Sequence, residues 1–314
     1  MQARGRNAQL LMDFESTFGQ DPTTPAAIKM PIISSQLRSS QTLTEDRIIR
    51  SRRDQAMPSR GNVDVSGGIV IPVDILNIGY WLKAMFGNPV TTGGDLEPYS
   101  HEFKPGAIQP SLVFEQGFTD ILSFAKFNGC KIGSFSLTFG GDGELTANVD
   151  VMGAKETIGE TSYDSTPTEL SIIKFNNFQA SVQEGGSDIA TLTEAELQID
   201  FALDGDQYAI GSQGTRLDIP EGTIQISGRI KGFFENTLLL NKAINGTTSS
   251  LKFSLTSGTN VLSFLLPEIV YERQSPGIEG PQGVQIELPY RAYYDTAVEG
   301  ASLIATLTND QATY

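Results

Sequence analysis

Period-two alternation of apolar and polar residues constrains this chain more than any other feature. Phe135, Leu137 and Phe139 alternate with Ser134, Ser136 and Thr138, and Leu145, Ala147, Val149 and Val151 alternate with Glu144, Thr146, Asn148 and Asp150. Successive side chains of a strand point to opposite faces, so each run reads as a strand with one face in a core and the other in water. Between them Gly140-Gly141-Asp142-Gly143 holds an Asp-Gly pair that takes positive φ at little cost and suits a tight hairpin turn. The alternation returns at Leu197, Ile199, Phe201 and Leu203, at Leu251, Phe253 and Leu255, and at Val284, Ile286, Leu288 and Tyr290. The fold expected is mainly antiparallel β.

Two helical patterns interrupt the strands. One follows Asp74 and puts Ile75, Ile78, Leu82, Met85 and Phe86 on one face; the other follows Asn236 with Leu239, Leu240, Ala243 and Ile244. Gly87 and Gly246 stand where a C-terminal cap is expected. Their surroundings look duplicated. Gly67-Gly68-Ile69-Val70-Ile71 matches Gly222-Thr223-Ile224-Gln225-Ile226, and Lys83–Gly87 matches Lys242–Gly246. The shared order of strand, helix, loop and Gly-led strand points to an internal repeat. A chain of 314 residues also suits two domains of roughly 130 to 160 residues each. The division expected is an N-terminal arm over 1–25, a first module over 26–157 with a basic loop at about 47–61, a linker over 158–164, and a second module over 165–314.

Charge and residue usage exclude several function classes. The formal charge is −15, which argues against a basic face that grips nucleic acid or an anionic membrane. Residues 1–60 hold nine Lys/Arg against six Asp/Glu, so the rest of the chain is more acidic still. The most apolar stretch, 68–86, is broken by Pro72, Asp74 and Lys83, short of the roughly 20 residues a membrane span needs. Met1 to Phe14 carries only the apolar run Leu10-Leu11-Met12, too short for a secretory leader's core. Cys130 is alone, which excludes an intrachain disulfide framework. His101 is the sole histidine, so a Ser/His/Asp or Cys/His machine would rest on it, and a loop or interface role is the plainer expectation. Asp204-Gly205-Asp206 opens like a calcium loop but continues with Tyr208 and Thr215 where ligands belong. No phosphate-binding or dinucleotide-binding glycine motif occurs. Neither a catalytic group nor a cofactor is expected.

Several segments in order carry a family resemblance. They are Glu15-Ser16-Thr17-Phe18-Gly19, Ser66-Gly67-Gly68, Trp81-Leu82-Lys83-Ala84-Met85-Phe86-Gly87, the stretch Pro110 to Asp120, and Gly129-Cys130-Lys131-Ile132. The second half adds Pro220-Glu221-Gly222, Asn245-Gly246-Thr247, Leu266-Pro267, the stretch Pro276 to Pro281, and Leu288-Pro289-Tyr290-Arg291-Ala292-Tyr293-Tyr294-Asp295. Together they resemble the major tail tube proteins of long-tailed, siphovirus-type bacteriophages, in the branch of about 300 residues. Gln116 departs from the pattern, at a position associated with a basic residue.

The resemblance implies two tandem β-sandwich or barrel-like modules, each with a flanking short α-helix, in a non-enzymatic virion protein. Such proteins polymerise as stacked rings around a tape-measure protein, meet a tail terminator and distal tail or baseplate proteins, and later conduct DNA into the host. Assembly in the host bacterial cytoplasm and residence in the virion tail follow from it. Two modules per chain imply a ring of three chains with pseudo-sixfold symmetry. Arg47, Arg50, Arg52, Arg53 and Arg60 are the expected contact with the next ring, and Glu144, Asp150, Glu196, Asp200 and Glu287 the expected lining of the bore. Three other readings compete: another virion protein of the same fold, such as a tail terminator or minor tail protein; a non-viral carbohydrate-binding β-sandwich; and a carboxylate-dependent glycosidase.

Overall fold

The computed structural model describes residues 2–314 apart from 95, 96, 107, 279, 297 and 298. Glu279, inside the Pro276 to Pro281 segment, therefore lies outside the described residues. The first half of the chain forms β1 (Ala8–Phe14), β2 (Ile28–Met30), β3 (Ser34–Ser35), β4 (Arg38–Thr44), β5 (Ser59–Pro72), α1 (Ile78–Phe86), β6 (Val90–Thr92), β7 (Tyr99–Phe103), β8 (Leu112–Phe118), β9 (Ser123–Phe139), β10 (Thr146–Gly153) and β11 (Lys155–Gly159). The second half forms β12 (Ala180–Glu184), β13 (Ser187–Asp188), β14 (Leu192–Asp200), β15 (Gln225–Phe233), α2 (Leu238–Asn245), β16 (Ser249–Ser257), β17 (Asn260–Tyr271), β18 (Gln285–Tyr293) and β19 (Ile304–Asn309). The fold is mainly β, and its strands pair antiparallel, as the alternation requires.

The hairpin expected between Ser134 and Val151 is β9–β10, with Leu137 opposite Ala147 and Phe135 opposite Val149. Its connection is longer than a two-residue turn: Leu145 leaves β9 and donates its N–H to the Phe175 carbonyl, while its own carbonyl accepts the Val73 N–H in continuation of the β5–β10 register.

Strand pairing repeats along the chain. β1 pairs β2 and β8, β9 pairs β8, β10 and β11, and β5 pairs β4 and β10. In the same order β12 pairs β13 and β16, β17 pairs β16, β18 and β19, and β15 pairs β14 and β18. Registers agree as well: Gly67 lies opposite Val151 and Gly228 opposite Tyr290, while Ile69 faces Val149 and Ile230 faces Leu288. The counterpart of Gly67 is thus Gly228, six residues beyond the Gly222 that the sequence suggests. A slip by an even number of residues preserves the alternation, so pattern alone cannot detect it. Both glycines sit where the neighbouring strand comes close; a Cβ on Gly67 would strike the Gln36 carbonyl, and one on Gly228 the Glu196 carbonyl.

Residues 8–14, expected in an N-terminal arm, are strand β1 with Leu10, Leu11 and Met12 buried. β9 joins two sheets. Its first half lies between β8 and β11, and its second half between β10 and β14. The change falls at Gly129, whose φ of 62° an L side chain adopts only at a cost.

The β9–β14 pairing, Phe139 opposite Ala195 through Ser134 opposite Asp200, makes one continuous run β4–β5–β10–β9–β14–β15–β18 from the two halves. Aromatic packing crosses the same boundary, with Phe139 stacked on Phe253 at 5.1 Å and Phe135 against Phe264 at 6.2 Å. α1 is buried, with Trp81 stacked on Phe114 at 5.8 Å. α2 buries only Ala243 completely, and Ile244, expected on its inner face, is 43% exposed.

Candidate assembly surface

Cross-strand register builds one polar face from five strands. Asn148, Ser136, Gln198, Ser227 and Arg291 form one row across β10, β9, β14, β15 and β18, and Asp150, Ser134, Asp200 and Gln225 form the row beside it. Further along, Glu196 lies opposite Arg229, and Glu194, Lys231 and Glu287 lie in line. The residues between them in sequence, such as Val149, Phe135, Leu197, Ile199, Ile230 and Leu288, are buried on the opposite face. Alternation thus makes the core and the polar surface in a single step.

This face carries Asp150, Asp200, Glu194, Glu196 and Glu287 against Arg229, Lys231 and Arg291. Arg229 is closely engaged: its guanidinium lies 2.8 Å from Glu194, 2.9 Å from Glu196 and 3.1 Å from Glu287. The hydrogen bond to Glu287, followed by the charge of Glu194, raises its pKa above the usual arginine value. Arg291 pairs with Glu272 at 2.9 Å. Asp150 accepts a 2.7 Å hydrogen bond from Ser134. The surface offers acceptors, and two of its cations are already matched by carboxylates of the same chain.

Of the acids nominated from sequence, Asp150, Glu196, Asp200 and Glu287 come together on this face. Glu144 stands apart: it precedes β10, forms an isolated bridge with Asn176 and pairs with Lys174. Glu194 and the central Arg229 were not nominated. The one sign of Arg229 in the sequence is its place between Gly228 and Ile230 in an alternating strand.

Arg47, Arg50, Arg52 and Arg53 lie in the exposed connection between β4 and β5. Arg60 is instead part of β5, opposite Leu43. Arg50 pairs with Asp46 at 2.7 Å, and Ile48, Ile49 and Met57 of the same connection are 67%, 99% and 88% exposed. Exposed apolar side chains among arginines are the composition of a surface that meets protein.

The carboxylates of the recurring segments act inside the fold. Glu15 accepts the N–H of Gly19 at 2.7 Å and of Gly129 at 2.9 Å, and burial raises its pKa in spite of these donors. Glu115 accepts from the Ser162 hydroxyl at 2.6 Å and from the Tyr163 N–H at 2.5 Å, and it too is raised by burial. His101, expected in a loop, is a fully buried residue of β7, placed between the Thr91 hydroxyl and the Gln311 carbonyl at 2.8 Å each. Burial lowers its pKa, so it packs the C-terminal segment as a neutral ring.

The sequence model of the family described as phage tail tube protein matches residues 5–292 of this chain. No curated protein matches it.

Proposed function

The chain belongs to the phage tail tube protein family, and on that premise we propose that its copies polymerise as stacked rings into the tail tube of a siphovirus-type phage, the conduit for genome delivery. The observation that carries this reading is the unbroken polar face shared by both halves of the chain. A sheet with one face in a core and the other acidic and water-facing is what the wall of an aqueous bore requires, and joining two halves in one sheet supplies a third of a six-unit wall. Three chains would close a ring with pseudo-sixfold symmetry, each half being one module.

In that ring Asp150, Glu196, Asp200 and Glu287 would face the bore, with Glu144 at its margin. Double-stranded DNA carries one charge per about 1.7 Å of axis and binds cationic surfaces by releasing counterions. A bore in which five acids outnumber three cations, two of them already paired with carboxylates of the same chain, opposes that retention. The connection carrying Arg47, Arg50, Arg52 and Arg53, with Arg60 at the strand that leaves it, would reach the next ring, where guanidinium groups suit bidentate pairing with carboxylates. The remaining partners of the reading are a tape-measure protein inside the tube and the terminator and distal tail proteins at its ends, with assembly in the host cytoplasm.

Negative-stain microscopy of the purified protein tests the reading. Stacked rings or filaments with three chains per ring are expected; uniform monomers at high concentration would overturn it, and six chains per ring would overturn the paired use of the two halves.

A further inference from the structure

The repeat of strand pairings leaves one pairing without its counterpart. β9 continues past Ile132, which faces Val151, and its residues 134–139 pair with residues 200–195 of β14. In the second half Tyr271 faces Tyr290, the equivalent station. There β17 ends. Glu272 still donates its N–H to Pro289 at 2.8 Å, but 272–278 belong to no strand among the described residues and are almost wholly exposed.

The counterpart of β14 is equally open. Ser34 faces Val70, Gln36 donates to Gly68 at 2.8 Å and Arg38 faces Ser66. Glu194, Glu196 and Gln198 stand in the same relation to Lys231, Arg229 and Ser227. Residues 35–40 therefore match 195–200. The outer edge of 195–200 is covered by β9, whereas among the described residues no strand covers that of 35–40. There the Leu37 N–H turns back to the Ser35 hydroxyl at 3.3 Å.

We infer that residues 272–277 of one copy add as an antiparallel strand to residues 35–40 of a second copy, reproducing between chains the β9–β14 junction within one chain. This rests on the tube reading and assigns its ring contact. An uncovered edge is a template for another strand, and the internal junction supplies the register. Phe201 donates to Gly133 at 3.0 Å, so alternate residues of β9 bond to β14. Carried over, Arg273, Ser275 and Gly277 exchange bonds with Ser39, Leu37 and Ser35 of the second copy. Pro276, which has no N–H, then faces away from the new partner, where a proline is tolerated. Arg273 comes to lie beside Ser39, whose hydroxyl is bonded to the Glu156 carboxylate, so the new strand brings a cation to an acid.

Gln274 and Arg38 fall at a non-hydrogen-bonded station, where Cα atoms approach to about 4.5 Å and a disulfide fits. Cys130 is buried and does not compete. The double variant Gln274→Cys/Arg38→Cys, assembled and then oxidised, is expected to run on a denaturing gel with most chains in covalent multimers. The shifted pair Gln274→Cys/Thr44→Cys is expected to link at least tenfold less.

Polymer that forms without the first link, or that links equally well through the shifted pair, overturns the inference and leaves the tube reading standing. Wild-type protein that never polymerises overturns both. Should the cysteine variant fail to assemble, the charge exchange decides: Arg273→Glu is expected to slow polymerisation about tenfold, and adding Glu156→Arg to restore it. An unrestored rate overturns the inference.

Discussion

The Glu15 carboxylate accepts the N–H of Gly129 at 2.9 Å, and Gly129 is the residue at which β9 passes from one sheet to the other. Phe18 lies under the same glycine, where a Cβ would approach its ring to 2.8 Å. Glu15→Ala strands buried N–H groups and is expected to cost about 2–4 kcal/mol of unfolding free energy, measured by urea denaturation. Burial raises the Glu15 pKa, so the folded chain takes up this proton more readily than the unfolded one. The group's contribution to stability then grows as pH falls from neutral through the raised value. Melting followed from pH 7 down to the ordinary glutamate value is expected to show that slope, and Glu15→Gln to remove it.

Arg216 joins the two halves from the other side. It bonds to the Gly205 carbonyl at 2.6 Å and the Gly153 carbonyl at 2.8 Å and pairs with Asp64. Burial works to raise the Asp64 pKa, but the bonds from Arg216 and Ser66 outweigh it and hold the carboxyl low. The pair therefore stabilises the fold above the ordinary aspartate value, and that stability is lost as pH falls through the lowered one. Asp64→Asn is expected to cost about 1 kcal/mol at pH 7, since Asp64 is partly exposed, and to flatten the acid limb of a denaturation profile below pH 4.

Gly67 and Gly228 occupy one structural station. Alanine at either drives a Cβ into a neighbouring carbonyl, and at Gly228 also to 2.5 Å from the Tyr290 hydroxyl. Each substitution is expected to destabilise by about 3 kcal/mol or more, because backbone cannot yield as a side chain can. Equal behaviour of the two variants in thermal melts checks the correspondence.

Replacing Asp150 and Asp200 with Lys is expected to leave assembly intact and to slow DNA ejection from phage carrying the variant. The slowing should fade as salt rises, since exposed charges are screened within about 10 Å at 0.1 M. Ejection at an unchanged rate in low salt would remove these residues from the bore.

Replacing Arg50, Arg52 and Arg53 together with Ser is expected to lower polymer yield and weaken its dependence on salt, read by sedimentation of polymer across a salt series. Unchanged yield and salt response would show that the β4–β5 connection plays no part in stacking.

The β9–β10 hairpin and the polar face are legible in the sequence because both follow from one local rule, the two-residue period of side chains along a strand. Asp150, Glu196, Asp200 and Glu287 are found by that rule. Glu144 obeys the same parity and still leaves the sheet, because the Leu145 N–H bonds to Phe175, in a segment far away in the chain. Arg229 escapes notice for a related reason: its partners Glu194, Glu196 and Glu287 lie on the two neighbouring strands, β14 and β18, and only register brings them together.

The alternation by itself determined that the chain folds into antiparallel strands, which residues enter the core and that the remaining face is acidic. Tertiary structure alone decided that Gly67 corresponds to Gly228, that 8–14 form a strand and not an arm, and that β9 and β14 weld the halves into one sheet. A period of two is unchanged by a slip of two, four or six residues. The choice among those registers rests on contacts between residues distant in sequence, such as Phe139 on Phe253, Arg216 with Asp64, and Glu15 beneath Gly129.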